Sequence, residues 1–355
     1  MLHHARRGFA LHRAMLLVRT VQVDASWCVP VPGATLHQVV SSVHPLSQGG
    51  GTMLLNGRVA IVTGGGRGIG RELALCLARE GAAVVVDDVG SSLDGLSSDG
   101  DPAADVVALI RDAGGRAVAC HESVTDFEGA RRMVRAAVDE FGQLDIVVNN
   151  AGNLRNNPLL AMSENDFDAV IAVHLKGTFN VTRHAAEVMK QQCYGRIINM
   201  TSGGGLRGNI GHTNYGAAKA GIMALTFVWA LELAPFGITV NALAPQGETR
   251  MTTPMFERRG ILGRPALHPR HNAPLVAFLA SERAGHVSGQ ILGRTGFAYT
   301  LFRTPLPVGM MWRRGGWTPG QVAENFDEAL GPHLQPVGMG NVRLDTNQTG
   351  EPELS

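Results

Sequence analysis

The chain has 355 residues, 45% hydrophobic and 17% charged, enough apolar material for one large core or two smaller ones. Its net charge of +1 argues against a bulk electrostatic pull toward nucleic acid or an anionic membrane. The four cysteines (Cys28, Cys76, Cys120 and Cys193) are scattered without a CxxC, which indicates neither a zinc site nor a disulfide framework. No uninterrupted apolar run approaches the roughly 18 residues of a membrane-spanning helix.

Strand-like and helix-like segments alternate along the chain. Strands are predicted near Val59–Thr63, Ala83–Asp87, Ala117–Cys120, Ile146–Asn149, Arg196–Met200, Ile238–Ala242 and Gln290–Leu292. Helices are predicted near Gly68–Glu80, Ala103–Ala113, Phe127–Phe141, Glu164–Lys190, Asn214–Ala234 and Ala273–Ser281. This alternation implies a doubly wound α/β fold, a parallel sheet of about seven strands covered on both faces. Between Val89 and Pro102 runs a loop rich in Gly, Ser and Asp, too polar for the core.

Two segments carry chemistry. In RVAIVTGGGRGIG (58–70), an apolar strand runs into Thr63, Gly64, Gly68 and Gly70 and then into a helix. Glycines there permit a tight turn and let backbone approach a pyrophosphate, which the helix N-terminus attracts. The next strand ends in Asp87 and Asp88, placed to accept hydrogen bonds from an adenosine ribose. In NYGAAKAG, Tyr215 and Lys219 lie one helical turn apart, and Ser202 precedes the tyrosine by 13 residues. A phenol titrates near pH 10, too high for acid/base work at neutrality. A cation about 4 Å away is worth up to ~4 kcal/mol at an effective dielectric of ~20, or roughly 3 pKa units of lowering. Ser202, delivered from a strand end, is placed to hold a carbonyl oxygen beside the phenol.

Taken together, TGGGRGIG (63–70), NNAG (149–152) and the Ser202, Tyr215 and Lys219 trio resemble the short-chain dehydrogenase/reductase family over about residues 54–295. The resemblance implies a Rossmann-like domain and a nicotinamide-dependent oxidoreductase acting on CH–OH groups. Tyr215 would be the proton donor and acceptor, Lys219 would lower its pKa and grip the nicotinamide ribose, and Ser202 would orient the substrate oxygen. The cofactor would be held by Gly64, Arg67, Gly68, Ile69, Gly70, Asp87, Asp88, Ser123, Val124, Asn150, Ala151 and Gly152, together with Tyr215 and Lys219. The aspartates imply NAD over NADP, because a 2′-phosphate would meet like charge, with Arg67 as a candidate compensating cation. His174, in VHLKGTF, stands where most members carry Asn, and NALAPQGETRM (241–251) lacks their Pro-Gly. Both features, and VVVDDVGSSLDG (84–95), resemble the (3R)-hydroxyacyl-CoA dehydrogenase part of the type 2 peroxisomal multifunctional enzymes and its bacterial relatives. His174 is either the holder of a proton-relay water, since imidazole donates and accepts, or a packed histidine.

The two ends differ in character. Residues 1–52 contain Arg6, Arg7, Arg13 and Arg19 with Asp24 as their only acid. That bias suits a transit peptide; an upstream extension of the reading frame is favoured, because Met53 stands where family members usually begin. Residues 296–355 form a C-terminal extension with a helix expected in WTPGQVAENFDEAL. It either covers the substrate region or is a partly disordered tail.

The sequence therefore implies a cytosolic NAD-dependent enzyme, a homodimer or homotetramer, interconverting a secondary alcohol and a ketone on a 3-hydroxyacyl-CoA-type substrate. The alternatives are a hydroxysteroid dehydrogenase, a 3-oxoacyl thioester reductase, or a catalytically silent nucleotide-binding scaffold.

Overall fold

The computed structural model describes residues 53–95, 100–303, 305 and 307–338. The expectations for residues 1–52, for Cys28 and for the last 17 residues lie outside these described residues. Among the described residues eight strands form one sheet: β1 Val59–Thr63, β2 Ala83–Asp87, β3 Ala117–Cys120, β4 Ile146–Asn149, β5 Gly195–Met200, β6 Ile238–Ala244, β7 Ile291–Thr295 and β8 Ala298–Phe302. Their order is 3-2-1-4-5-6-7-8, parallel throughout except for β8, which pairs antiparallel to β7. The strand order reverses between β1 and β4, and such a switch point opens a crevice at the carboxyl ends of the strands.

Near-continuous apolar strands such as Val59–Thr63 and Ala83–Asp87 are what a sheet buried on both faces requires. Helices α1 (Gly68–Arg79), α2 (Pro102–Asp112) and α9 (Ala273–Ala280) cover one face, where Leu73, Leu77, Ile110 and Val276 pack on Ala60 and Val62. Helices α3 (Phe127–Phe141), α5 (Gly177–Gln192) and α7 (Thr213–Leu233) cover the other, where Met133, Val181, Met189 and Trp229 pack on Val59 and Ile61. Alternate residues of β1 thus feed opposite cores, as the period-2 pleat dictates. The remaining helices are α4 (Glu164–Ile171), α6 (Gly203–Arg207), α8 (Thr253–Arg258) and α10 (Pro319–Ala329). Thr318 and Gln321 close a reciprocal capping box at the start of α10, the helix expected in the C-terminal extension.

Three features depart from the sequence reading. The helix expected over 164–190 is interrupted by a π-helical turn, Ala172–Lys176, which accommodates one extra residue and carries His174 into the interior. The sheet continues past residue 295 through β8, whose exposed Tyr299 and Leu301 hide the alternation behind apolar side chains on the solvent face. A chain of buried polar groups also crosses the core: the Asn149 amide donates to Thr182 Oγ1 and Asn199 Oδ1, each at 2.9 Å, and Asn199 donates to Thr226 Oγ1 at 3.0 Å.

Thr213–Phe236 is long and apolar enough, by length and composition, to cross a membrane, with a mean hydropathy of 1.5 over its window. Asn214, Lys219 and Thr226 interrupt its apolar residues, so a count of uninterrupted runs passes it over. It packs along β6, while Val228 and Leu231 one turn apart remain 47% and 79% exposed.

Candidate active site

The glycine loop is shaped from beneath by β4. Thr63 Oγ1 accepts the backbone N–H groups of Asn150 and Ala151, both at 3.0 Å. The Asn150 side-chain amide donates to the carbonyls of Thr63 and Gly64 at 3.0 and 3.1 Å. Residue 70 must be glycine, since a Cβ there would lie 2.0 Å from the Gly64 carbonyl oxygen. Helix α1 begins at Gly68 behind an extended Arg67 with no side-chain cap, so its N-terminal dipole opens onto the loop and suits a pyrophosphate. The segment after β6 lies over this loop: Thr249 Cγ2 approaches Gly68, and Ile69 packs against Gly247.

The two aspartates divide. Asp87 is 2% exposed, accepts the Glu122 backbone N–H at 3.2 Å and faces the Cys120 thiol. Burial pushes its carboxyl well above the usual range, and burial beside Asp87 pushes the Cys120 thiol up to about 12. Asp88 is half-buried and accepts the N–H groups of Gly66 and Gly90, at 3.0 and 2.9 Å. It is therefore Asp88 that fronts the glycine loop. Beyond β3, Ser123 bonds Thr125, and buried Val124 packs on Gly177 while its carbonyl accepts the Asn180 amide.

At the other end of the crevice, β5 delivers Ser202 just beyond Met200. The Ser202 Oγ accepts the Gly204 N–H at 3.1 Å, which keeps the hydroxyl proton for another acceptor. Helix α7 carries Tyr215 and Lys219, with the Lys219 Nζ 5.5 Å from the Tyr215 ring centre. Lys219 is 4% exposed and donates to the Met200 carbonyl at 2.6 Å. Desolvation lowers the Lys219 ammonium to about 7. Burial raises the Tyr215 phenol above its usual value, partly offset by the Ser202 hydroxyl. The lowering of Tyr215 expected from Lys219 is thus corrected: the lysine sits where holding a charge is itself costly, and burial dominates both groups.

His174, 2% exposed, sets its ring edge-on to Tyr215 at 5.2 Å and donates from Nε2 to the Asn153 carbonyl at 2.8 Å. Its Nδ1 is buried without a hydrogen-bond partner among the described residues, and burial together with the Lys219 charge holds the ring neutral. The ring also dictates Gly152, where a Cβ would stand 2.5 Å from His174 Cε1. So the imidazole is closely packed and still presents an unused acceptor.

Sequence reasoning missed three contributors. Fully buried Asn214 accepts the Tyr215 N–H at 2.7 Å and donates to the Arg155 and Asp166 carbonyls, tying the start of α7 to α4. Gln246, in place of the usual glycine, is held through its backbone by Arg294 and Asn272 and through its side chain by the Gly296 N–H. Arg207, at the end of α6, donates to the Pro336 carbonyl at 3.2 Å and accepts the Gly338 N–H at 2.7 Å. The C-terminal extension therefore reaches the segment that follows Ser202. The departure at 241–251 marked the Gln246 segment, but a buried amide at a helix start such as Asn214 is indistinguishable by composition from an ordinary cap, and Arg207 acts through partners distant in sequence.

The depressed lysine yields a sign that is open to measurement. An unfolded Lys219 stays charged to about pH 10.4, whereas the folded one gives up its proton near 7. The destabilisation is therefore full below pH 7 and fades as pH rises toward 10. The melting temperature of the parent protein is expected to rise relative to Lys219→Met between pH 7 and pH 10, measured by differential scanning calorimetry; parallel pH profiles would contradict it.

The comparisons agree with this geometry. The family model for short chain dehydrogenase matches residues 58–260. Hydroxyacyl-CoA dehydrogenase ChsB1 of Mycobacterium tuberculosis is 42% identical over 264 residues, covering 71% of this chain and 81% of that protein. The peroxisomal multifunctional enzyme type 2 of Mus musculus is 39% identical over 275 residues, 77% of this chain but 36% of the mouse enzyme. A crystal structure of a short chain dehydrogenase from Mycobacterium avium superposes with a TM-score of 0.71 at 43% identity, covering 80% of this chain and 98% of that one. With its glycine loop, its β4 clamp and its serine, tyrosine and lysine gathered at one end of the crevice, this chain belongs to the short-chain dehydrogenase family, whose members use an NAD(P) cofactor to act on hydroxyl and keto groups.

Proposed function

We propose that the protein is an NAD-dependent dehydrogenase that interconverts a 3-hydroxyacyl thioester, of the CoA type, and its 3-oxo counterpart. The observation that carries this reading is the Ser202 hydroxyl beside the Tyr215 phenol, with Lys219 one turn on, in a chain 42% identical to a hydroxyacyl-CoA dehydrogenase. NAD, when bound, supplies the hydride acceptor. In the oxidation direction Tyr215, as phenolate, takes the proton of the C3 hydroxyl. Ser202 donates its free proton to the same oxygen and fixes it beside the phenol. Lys219 would hold the ribose hydroxyls, and the positive charge of the oxidised cofactor would favour the phenolate that burial opposes. His174, neutral and packed edge-on to Tyr215, would fix the position of the phenol ring rather than carry its proton.

Tyr215→Phe keeps the ring and its packing but removes the proton-exchanging group. Activity is expected to fall by the ~10²–10⁴-fold typical of a lost general acid/base, with NADH binding close to that of the parent. The parent is expected to oxidise a 3-hydroxyacyl-CoA faster than a simple alcohol, because the remote CoA handle supplies binding energy that orients the reacting carbon. Steroid oxidation without 3-hydroxyacyl-CoA activity would overturn the substrate reading, and an undiminished Phe variant would overturn the mechanism.

The NAD preference rests on Asp88, which fronts the glycine loop where Asp87 does not. Its carboxylate would oppose a 2′-phosphate. Asp88→Ser should raise the NADP-to-NAD ratio of kcat/KM, and a parent that uses both cofactors with equal efficiency would sink the assignment.

The exposed apolar pair Val228 and Leu231 on α7 is assigned to self-association as a homodimer or homotetramer, since burial of such a stripe is favourable. Light scattering should report an oligomer for the parent and a smaller species for Leu231→Glu; a monomeric parent at micromolar concentration would contradict this.

A further inference from the structure

A buried cation that the mechanism above does not use stands on β7. Arg294 is 3% exposed, and among the described residues no carboxylate pairs with it. Burying a guanidinium without a counter-charge is costly, so the acceptors it has instead are informative. Both are backbone carbonyls: Nη1 donates to that of Gln246 and Nη2 to that of Ala266. Gln246 and Ala266 bracket residues 247–265, the excursion of chain that follows β6 and contains α8. One side chain therefore grips both feet of that excursion.

The β7–β8 hairpin and its neighbours add further holds at the same two feet. Gly296 N–H donates to Gln246 Oε1 at 2.8 Å. Tyr299, directly across from Arg294 in the β7–β8 ladder, donates its hydroxyl to the His271 carbonyl at 2.9 Å. Asn272 accepts the Gln246 N–H at 3.3 Å and donates to the Gln246 carbonyl at 2.9 Å, and Glu248 N–H closes the neck on the Leu267 carbonyl at 2.7 Å. The segment held in this way lies on the start of α1. A Cβ at Gly68 would be 3.1 Å from Thr249 Cγ2, and one at Gly247 would be 3.4 Å from Ile69 Cγ1. Gly68 and Ile69 open the helix whose N-terminus faces the glycine loop.

The geometry points to Arg294 as a positioning residue for the cofactor: by fixing both feet of the 247–265 segment, it holds that segment as a preformed wall over the glycine loop. The assignment needs only the dinucleotide cofactor of the family and is independent of the thioester reading. A wall that is ordered before the cofactor arrives costs no ordering entropy on binding, whereas a loosened one subtracts that entropy from the affinity. Arg294 acts through the Gln246 and Ala266 carbonyls, so its effect falls on cofactor binding.

The test compares the full-length parent with Arg294→Met and Arg294→Lys, using whichever of NADH and NADPH the parent binds more tightly. Met keeps an unbranched apolar stem and removes both donors; Lys keeps the charge but lacks the fork that spans two carbonyls. Fluorescence titration is expected to show the dissociation constant rising about tenfold in Arg294→Met, the size of one charge-assisted hydrogen bond, and by a smaller factor in Arg294→Lys. Hydrogen exchange of the cofactor-free proteins is expected to quicken in peptides from residues 247–265 of the Met variant, with peptides from β1 and α3 unchanged. An unchanged dissociation constant in Arg294→Met would overturn the assignment. So would exchange that quickens equally across the sheet, the mark of general destabilisation. Should Arg294→Met fail to fold, Arg294→Lys carries the same two measurements, and parent-like values in both would overturn the assignment. A parent that binds neither dinucleotide would overturn it together with the function proposed above.

Discussion

The organising constraint is the burial of a lysine ammonium beside a tyrosine phenol at the end of β5. Water is excluded from Lys219, and its hydrogen bond goes to the carbonyl of Met200, one residue before the strand turns toward Ser202. An ammonium in such a place is costly unless something else stabilises its charge. The carboxyl end of β5, the start of α7 and the π-helical turn that carries His174 all converge on this one point. Thr201 Oγ1 donates to the Lys219 carbonyl at 2.8 Å, so strand and helix are fastened to each other at the very residue that bears the charge. Substrate chemistry is therefore coupled to backbone geometry: the lysine cannot move without loosening both elements.

Around that point the structure meets its polar obligations through amides rather than charges. Asn150 clamps the glycine loop, Asn214 joins α7 to α4, and Asn149 and Asn199 run a buried chain from α5 to α7. Amides satisfy several backbone groups at once and add no net charge to a low-dielectric interior. They leave the electrostatics of the crevice to the few ionisable groups that face it.

Seven parallel strands and the principal helices were legible in the sequence because each is a strongly periodic segment bounded by glycine, proline or a cap residue. Ser202, Tyr215 and Lys219 were legible because one helical turn and one strand end are short-range geometry. What stayed hidden depends on long-range packing. The division of labour between Asp87 and Asp88 is decided by which carboxylate the pleat turns toward Cys120, and the order of two adjacent acids does not reveal it. The raised phenol of Tyr215 follows from burial on all sides, whereas residue spacing displays only the nearby cation. β8 escaped because an edge strand with Tyr299 and Leu301 facing solvent lacks the polar half of an amphipathic pattern.

The π-helical turn at Ala172–Lys176 also separates two demands on one stretch of chain. A regular α-helix advances about 100° per residue and a wider π turn advances less, so the additional residue is absorbed within the turn and the helix beyond it keeps its spatial phase. Helix α5 accordingly buries Val181, Ala185 and Met189 against the sheet. The bulge, meanwhile, carries His174 to the edge of the Tyr215 ring. Removing the extra residue would leave the apolar stripe of α5 on the core and take away the bulge that brings His174 to the tyrosine.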